Sequence, residues 1–417
     1  MMRPEKKFQV LGLGWVVAIA LSTSPVAATE PAAFNPGRAA VERCFGKRVA
    51  SDAAESAVAA KRSVMPGCEE ILSLYLSELE QRLFDQIHGG SFGEFSLLEA
   101  GFIAGGIDRH DELRRYCKRF DELVESLRRS GKVRGTPYER AQAVFAFLHQ
   151  SILNGGYNLQ SSDLRQAIDH GRFNCVTASV LFNCLAERFE LKAVGLEIPG
   201  HAMSRLELPR ETLDIETTCP RWFTLNDRAS AANLPLAADL TQAEHDTTVQ
   251  TESAAQARAR NAANDRRALR QVSEVELVAT IYYNRGVDLL AEKHFADAAG
   301  ANAKAVRLDP KSATAKNNFL ATINNWAIDL GTSGEYEKAA ELLRLGLAAD
   351  PSYDAFRSNY VQLFRRWSEH LCHSGRYDDA VRLLAQAAKD RPGEKFFREA
   401  TIEILRRWPG KQGKVPL

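Results

Sequence analysis

The sequence is poor in the features that mark several large classes of protein. No two cysteines have the CxxC spacing of a zinc knuckle. The formal net charge is only +1, which gives no electrostatic case for nucleic-acid binding. After the N-terminal region no segment is apolar enough to cross a membrane. We therefore predict no metal, no cofactor, no nucleic-acid partner and no membrane contact beyond an N-terminal anchor.

The N-terminus predicts an exported protein. Basic residues such as Arg3 and Lys6 precede an apolar run over residues 10–21, and small residues at 26–28 fit a cleavage site. Residues 1–28 are thus predicted to be a signal peptide, and the protein to be periplasmic or secreted. An uncleaved N-terminal anchor is the alternative. The full chain of 417 residues, 45% of them hydrophobic, is long enough for two or three domains.

Seven cysteines in an exported chain leave at least one unpaired in a monomer. Cys175 and Cys184 are nine residues apart on one predicted helix and face nearly opposite sides, so they cannot bond to each other. Cys184 is interpreted as a small core residue, and Cys44 with Cys68 as a plausible disulfide. Cys117 and Cys372 are expected to pack inside helices, and no partner is assigned to Cys219.

Residues 173–218 predict a helix followed by three strands. Apolar residues recur at helical spacing from Cys175. Short apolar or alternating runs then predict strands at 192–198, 201–207 and 213–218, with Pro199-Gly200 as the first turn. If these strands pair as neighbours, His201 and Asp214 lie side by side. The N-terminus of the helix would then bring Cys175 up to them.

These three residue types suit nucleophilic catalysis. A thiol is a poor nucleophile until it loses its proton, and a helix N-terminus favours the thiolate. A neighbouring imidazole can take the proton while a carboxylate fixes its tautomer. We therefore name Cys175, His201 and Asp214 as candidate catalytic residues. Glu216 is the alternative carboxylate because it shares a strand face with Asp214, and His170 is an alternative base.

The order of cysteine, helix, Pro-Gly-His and a strand reading LDIETT resembles the transglutaminase-like superfamily, a rearranged relative of the papain fold. In that family the cysteine starts a helix, the histidine starts a strand, and the aspartate precedes a threonine one strand later. The resemblance covers roughly residues 135–225. It implies a catalytic triad of Cys175, His201 and Asp214.

Two positions depart from the family pattern. Many relatives have an aromatic residue after the cysteine and a tryptophan two residues after the histidine, where this chain has Val176 and Met203. These departures leave the substrate preference open. Some bacterial relatives have lost the cysteine and act as non-catalytic modules. A non-catalytic protein-interaction scaffold is therefore the alternative to an enzyme.

The regions that flank this core differ in composition. Residues 29–134 predict helices, with capping-box spacing at Ser96 and Glu99, and resemble the domain that precedes the core in bacterial relatives. Thr136 and Glu139 have the same spacing at the start of the core. Residues 226–272 are poor in large apolar residues and predict a linker or flap that ends in an arginine-rich run.

The C-terminal residues 273–417 repeat with a spacing of 41 residues. Pro310, Pro351 and Pro392 share this spacing, and several aromatic and alanine columns follow it. The pattern resembles tetratricopeptide repeats, whose usual length is 34 residues, so the first helix of each pair should be longer by about two turns. A capping helix at Trp408 would end the array, which implies a protein or peptide partner.

The predicted fold class is α+β: a helical N-terminal region, a transglutaminase-like core with a helix packed on a small antiparallel sheet, and an all-α tetratricopeptide-like solenoid. The predicted function is an exported cysteine hydrolase or acyltransferase that acts on peptide or carboxamide bonds. Hydrolysis is favoured over crosslinking. The repeats would recruit a protein partner.

Overall fold

The computed structural model describes residues 71, 75–198, 200–231 and 269–409. The predicted signal peptide, the proposed pair of Cys44 and Cys68, and most of the arginine-rich run lie outside these ranges. The described chain divides into two compact units. The first contains residues 75–288 and 300–316, and the second contains residues 289–299 and 317–409.

The first unit begins with helices whose starts are fixed by side-chain caps. Both predicted capping boxes are present: Ser96 with Glu99, and Thr136 with Glu139, each exchange two hydrogen bonds across the first turn. Such reciprocal bonds satisfy amides that the helix itself leaves unpaired. The elements are α1 (Glu78–Asp85), α2 (Leu97–Ala104), α3 (His110–Arg129), α4 (Pro137–Phe147) and a π-helical turn (Leu148–Ile152).

The middle of the chain then alternates between helices and short strands. These elements are β1 (Gly156–Tyr157), α5 (Leu164–His170), β2 (Arg172–Phe173), α6 (Cys175–Arg188), β3 (Lys192–Ile198), β4 (His201–Glu207), β5 (Thr212–Ile215), α7 (Trp222–Ala231) and β6 (Arg270–Val272). The larger sheet has the strand order β5-β4-β3-β6, and its neighbours are antiparallel. The predicted helix and three antiparallel strands are therefore present. β1 and β2 form a separate parallel pair.

Helix α6 is the centre of the first unit. Every residue from Cys175 to Ala186 is buried, because the helix contacts β3 and β4 as well as helices α2 and α4. A helix that is buried on all sides carries apolar residues around its whole circumference, as Val180, Leu181 and Phe182 illustrate. Cys184 is buried among them, which confirms its interpretation as a core residue.

The last three residues of the predicted linker, 270–272, form strand β6. Its three residues pair with β3, and Val272 lies opposite Gly195. A side chain at Gly195 would meet Val272 at 2.7 Å and Leu277 at 3.2 Å. This glycine therefore lets the two apolar side chains pack directly on β3. The pairing depends on a contact between distant parts of the chain, so local sequence gave no signal for it.

From residue 274 onward the described chain is helical. The helices alternate in length: α8 (Glu274–Ala291), α9 (Phe295–Leu308), α10 (Ala313–Thr332), α11 (Tyr336–Ala349), α12 (Asp354–His373), α13 (Tyr377–Asp390) and α14 (Lys395–Arg407). Helices α10 and α12 each have 20 residues, whereas α9, α11 and α13 each have 14. Helices α10 and α12 are therefore each six residues longer than the helix that follows them.

Periodic aromatic residues join the helices of the second unit. The rings of Tyr336 and Trp367 stack with an interplanar angle of 12°, and those of Tyr377 and Trp408 with 17°. Within the described ranges, no helix combines the length and the apolar character needed to span a bilayer. The observed class is α+β: mostly helical, with a small antiparallel sheet in the first unit and an all-helical C-terminal region.

Candidate functional site

Cys175 is the first residue of α6, and its position is fixed by a cap. The preceding residue, Asn174, is 1% exposed. Its side-chain oxygen accepts a hydrogen bond from the Thr177 amide at 3.0 Å, and its amide group donates to Ser162 Oγ at 2.7 Å and to the Leu159 carbonyl at 3.1 Å. The cap therefore fastens the start of the helix to the segment around residues 159–162.

This position gives Cys175 an electrostatic advantage. The first amides of a helix have no partner within the helix, and the aligned peptide dipoles place about half a positive charge there. Cys175 is 6% exposed. Its thiol is therefore shielded from water, and the positive end of the helix is the feature that would offset the cost of placing a negative charge there.

His201 is the first residue of β4 and lies between Cys175 and a carboxylate. Its Nε2 is 2.7 Å from Glu216 Oε2, which leaves Nδ1 as the ring nitrogen available to the thiol. Burial lowers the pKa of His201, but hydrogen bonds with Cys175 and Glu216, together with the charges of these groups, raise it to about 10. The imidazole is therefore protonated at neutral pH.

Glu216 is held in place by the residue two positions further on. Its Oε1 accepts hydrogen bonds from the Thr218 amide at 3.0 Å and the Thr218 hydroxyl at 2.6 Å. Burial raises the pKa of Glu216, but the hydrogen bond and charge of His201 and the two bonds from Thr218 lower it below its usual value. The carboxylate is ionised and has a partner at each oxygen.

Asp214 does not occupy the place that the sequence analysis gave it. The register of β4 and β5 pairs it with Arg205, and its two oxygens accept hydrogen bonds from that guanidinium at 2.5 and 2.8 Å. Arg205 lies four residues beyond His201, about 13 Å along a strand. The carboxylate beside His201 is the alternative, Glu216, which is also the acid that a threonine directly follows.

Buried hydroxyl groups tie the Glu216 segment to the helix that carries Cys175. Ser179 Oγ donates to the Cys175 carbonyl at 2.8 Å and is 2.8 Å from Thr217 Oγ1. Ser179 and Thr217 are both fully buried. Such a network favours a single arrangement of these side chains, because any movement that broke one hydrogen bond would leave a buried polar group without a partner.

Two further residues of the site were not predicted as members of it. His149, in the π-helical turn, contacts the Thr217 carbonyl through Nε2 at 3.1 Å, and burial lowers the pKa of His149 to about 4, so its ring is neutral. Tyr157 on β1 reaches the thiol: burial of its hydroxyl and the charge and hydrogen bonding of Cys175 raise the pKa of Tyr157 to about 12. The sequence signal for Tyr157 was weak, because a two-residue strand has no periodicity.

The alternative base, His170, is not part of the site. His170 is exposed at the end of α5 and forms no hydrogen bond with Cys175 in the described chain. Among the described residues there is no cluster of three histidine, cysteine or acidic side chains that could hold a metal ion.

The arrangement agrees with a comparison of the sequence with protein families. Residues 114–227 match the model of the transglutaminase-like superfamily, so this part of the chain is a transglutaminase-like domain. The match begins inside α3, earlier than the predicted start at residue 135, and ends in α7. Searches of curated proteins and of solved structures gave no match.

Proposed function

We propose that the transglutaminase-like domain is a cysteine hydrolase or acyltransferase that acts on peptide or carboxamide bonds. Cys175 is the nucleophile, His201 the acid and base, and Glu216 the carboxylate that orients His201. The observation that carries this proposal is the 2.7 Å contact between His201 Nε2 and Glu216 Oε2, made beside a cysteine at the first position of a helix.

In the resting site the negative charge of Glu216 supports a protonated His201. An imidazolium beside Cys175 and the positive end of α6 stabilise a thiolate. The reactive form is then an ion pair. A thiolate is the nucleophilic form of cysteine, so a site in this state is ready to attack a carbonyl carbon.

In the first half-reaction the Cys175 sulfur attacks the carbonyl carbon of the substrate, and a C–S bond forms. The carbonyl oxygen becomes an oxyanion near the backbone amide of Cys175, which is a natural donor for it. His201 gives its Nδ1 proton to the leaving nitrogen as the C–N bond breaks. A thioester and a free amine result.

In the second half-reaction a water molecule or an acceptor amine attacks the thioester. His201, now neutral, takes the proton of the attacking group while the C–S bond breaks. The thiolate and the imidazolium are restored. Glu216 keeps the Nε2 proton in place throughout and does not itself transfer it.

The test is alkylation of Cys175 by iodoacetamide across a range of pH, read by peptide mass mapping. We expect fast labelling already at pH 6.5, and a loss of about tenfold or more at that pH in His201→Ala. Cys117, Cys184 and Cys372 serve as internal controls, because burial raises the pKa of each of these thiols.

The opposite result would end the proposal. If Cys175 labels slowly at pH 6.5, with the pH dependence of an ordinary thiol, and if His201→Ala leaves its rate unchanged, the cysteine is structural. The non-catalytic scaffold would then be the better interpretation. If labelling is fast, product analysis with and without an added amine separates hydrolysis from acyl transfer.

We also propose that the C-terminal helices form tetratricopeptide-like repeats that bind a protein or peptide, and that the protein is exported. The 41-residue spacing and the alternation of 20- and 14-residue helices support the first proposal. The basic and apolar N-terminal sequence supports the second. Location of the full-length chain by cell fractionation tests export directly.

A further inference from the structure

Strand β1 lies next to the segment that leads into Cys175. Gly156 and Tyr157 pair in parallel with Arg172 and Phe173, and Phe173 is two residues before the nucleophile. Both residues of β1 are exposed. A side chain added at Gly156 would meet no atom within 4 Å. The outer edge of β1 is therefore uncovered in the described structure.

The register shows which backbone groups of β1 face outward. The Asn158 amide donates to the Phe173 carbonyl at 2.8 Å, so the amide and carbonyl of Phe173 both point toward β1. In a parallel pair the opposed residue then turns its own amide and carbonyl away. That residue is Tyr157. Within the described ranges, neither its amide nor its carbonyl forms a backbone hydrogen bond. β1 thus presents one free donor and one free acceptor.

Exposed apolar side chains flank the same edge. Three large hydrophobic side chains are strongly exposed in the described chain, and two of them are Tyr157 (53%) and Leu159 (62%). The third, Ile402, belongs to the second unit. The carbonyl of Leu159 accepts a hydrogen bond from the side chain of Asn174. The position of Leu159 is therefore fixed relative to the N-terminal cap of α6. Exposed apolar groups beside a nucleophile indicate a binding surface.

We propose that β1 binds an extended polypeptide as an added strand, with its main chain bonded to the backbone of Tyr157 and an apolar side chain resting on Leu159. This inference rests on the proposed function and names its substrate class: an extended polypeptide segment, as opposed to a small free carboxamide. Addition of a strand to an open edge is a common mode of peptide recognition. Phe173, which lies opposite Tyr157, is two residues before Cys175, and the Tyr157 side chain reaches the thiol, so a peptide on β1 would lie near the nucleophile.

The test compares two reagents that alkylate the same sulfur. Iodoacetamide has no peptide main chain and reports the intrinsic reactivity of Cys175. Acetyl-Leu-Leu-Ala chloromethyl ketone has a peptide main chain, and the thiolate displaces chloride from it to form a thioether. The ratio of the two rates therefore isolates peptide recognition. A series in which each amide of the peptide is N-methylated in turn removes one main-chain donor at a time.

We expect N-methylation at one position to lower the rate ratio about tenfold, the value of one good hydrogen bond. Leu159→Asp should lower the rate ratio by a similar factor, because the apolar side chain of the peptide would lose its contact with Leu159. Ile402→Asp is the matched control, since it changes another strongly exposed apolar side chain, which lies in the second unit, and it should leave the ratio unchanged.

The proposal is overturned if all N-methylated reagents react as fast as the parent, or if Leu159→Asp matches Ile402→Asp. Iodoacetamide separates this failure from failure of the catalytic proposal. If Cys175 is reactive and its reactivity depends on His201, but the peptide reagents all react at the same rate, only the proposed β1 binding surface is refuted. If Cys175 is unreactive, both the catalytic proposal and the β1 proposal are refuted.

Discussion

The surroundings of Cys175 and the C-terminal hairpins are held together by different kinds of contact. Around Cys175, buried hydroxyl, amide and charged groups bond to one another, as Ser179, Thr217 and Glu216 do. In the C-terminal hairpins, aromatic rings meet instead: Tyr360 and Phe364 lie with ring centres 4.6 Å apart, and both contact Phe397. Directional bonds fix one geometry at the site, whereas apolar packing fixes the spacing of helices.

The largest expected effect separates reactivity from packing within α6. Cys175→Ala should abolish hydrolysis of a test polypeptide such as reduced casein, by at least about 10³-fold, with little change in the free energy of unfolding. Cys184→Ala should retain the activity and lose about 1 kcal/mol of stability, because it empties space in the core. Turnover and urea unfolding measure the two quantities. Retained turnover in Cys175→Ala would refute the assigned nucleophile.

The next effect is a pH dependence of the free energy of unfolding that arises from His201. His201 has a folded-state pKa of about 10, above the ordinary value of about 6.5. Its stabilisation is therefore complete below pH 6.5 and is lost as pH rises toward 10, with an expected loss on the order of 5 kcal/mol. Thermal unfolding of the wild type and of His201→Asn measures it. Equal slopes for both proteins between pH 6.5 and 10 would contradict the ion pair.

A pair of substitutions on neighbouring positions distinguishes the two carboxylates. Glu216→Gln removes the charge beside His201 and should slow iodoacetamide labelling of Cys175 at pH 6.5 by about 10- to 100-fold. Asp214→Asn weakens only the pair with Arg205, which lies away from the thiol, and should change the rate by less than about twofold. The reverse order of effects would restore Asp214 as the orienting group.

The smallest expected effect concerns apolar packing in the second unit. A methyl group at Gly346 would lie 2.3 Å from the Phe356 ring, so Gly346→Ala should cost about 1–2 kcal/mol in urea unfolding. Gly393→Ala is the control, because a methyl group there meets no atom within 4 Å. Neither variant should alter Cys175 labelling. Equal stability of the two variants would argue against close packing at Gly346.

Features that depend on local or periodic patterns could be predicted from the sequence. The start of α6 at Cys175, the strand that begins at His201 and the alternating C-terminal helices all follow from such patterns. The choice between Asp214 and Glu216 could not be made in the same way. Both would share a face of the predicted strand 213–218, and only the register with β4, which places Asp214 opposite Arg205, decides which one meets His201.

Other features needed contacts between distant parts of the chain. β6 pairs with β3 because Gly195 leaves room for Val272, and three residues are too few to show alternation. Tyr157 joins the site only because β1 lies beside β2. In each case the determining neighbour is far away in sequence, so no local window contains the information.

The order of the strands has a consequence for how the chain acquires its fold during synthesis. Cys175, His201 and Glu216 all lie between residues 175 and 216, in elements that follow one another directly. β6 comes only at residue 270, and it adds to the outer side of β3. Contacts that are close in sequence form faster than distant ones, and domains generally fold from the N-terminus as they emerge. The order of elements therefore permits the three reactive groups to meet while the ribosome is still translating the segment that closes the sheet.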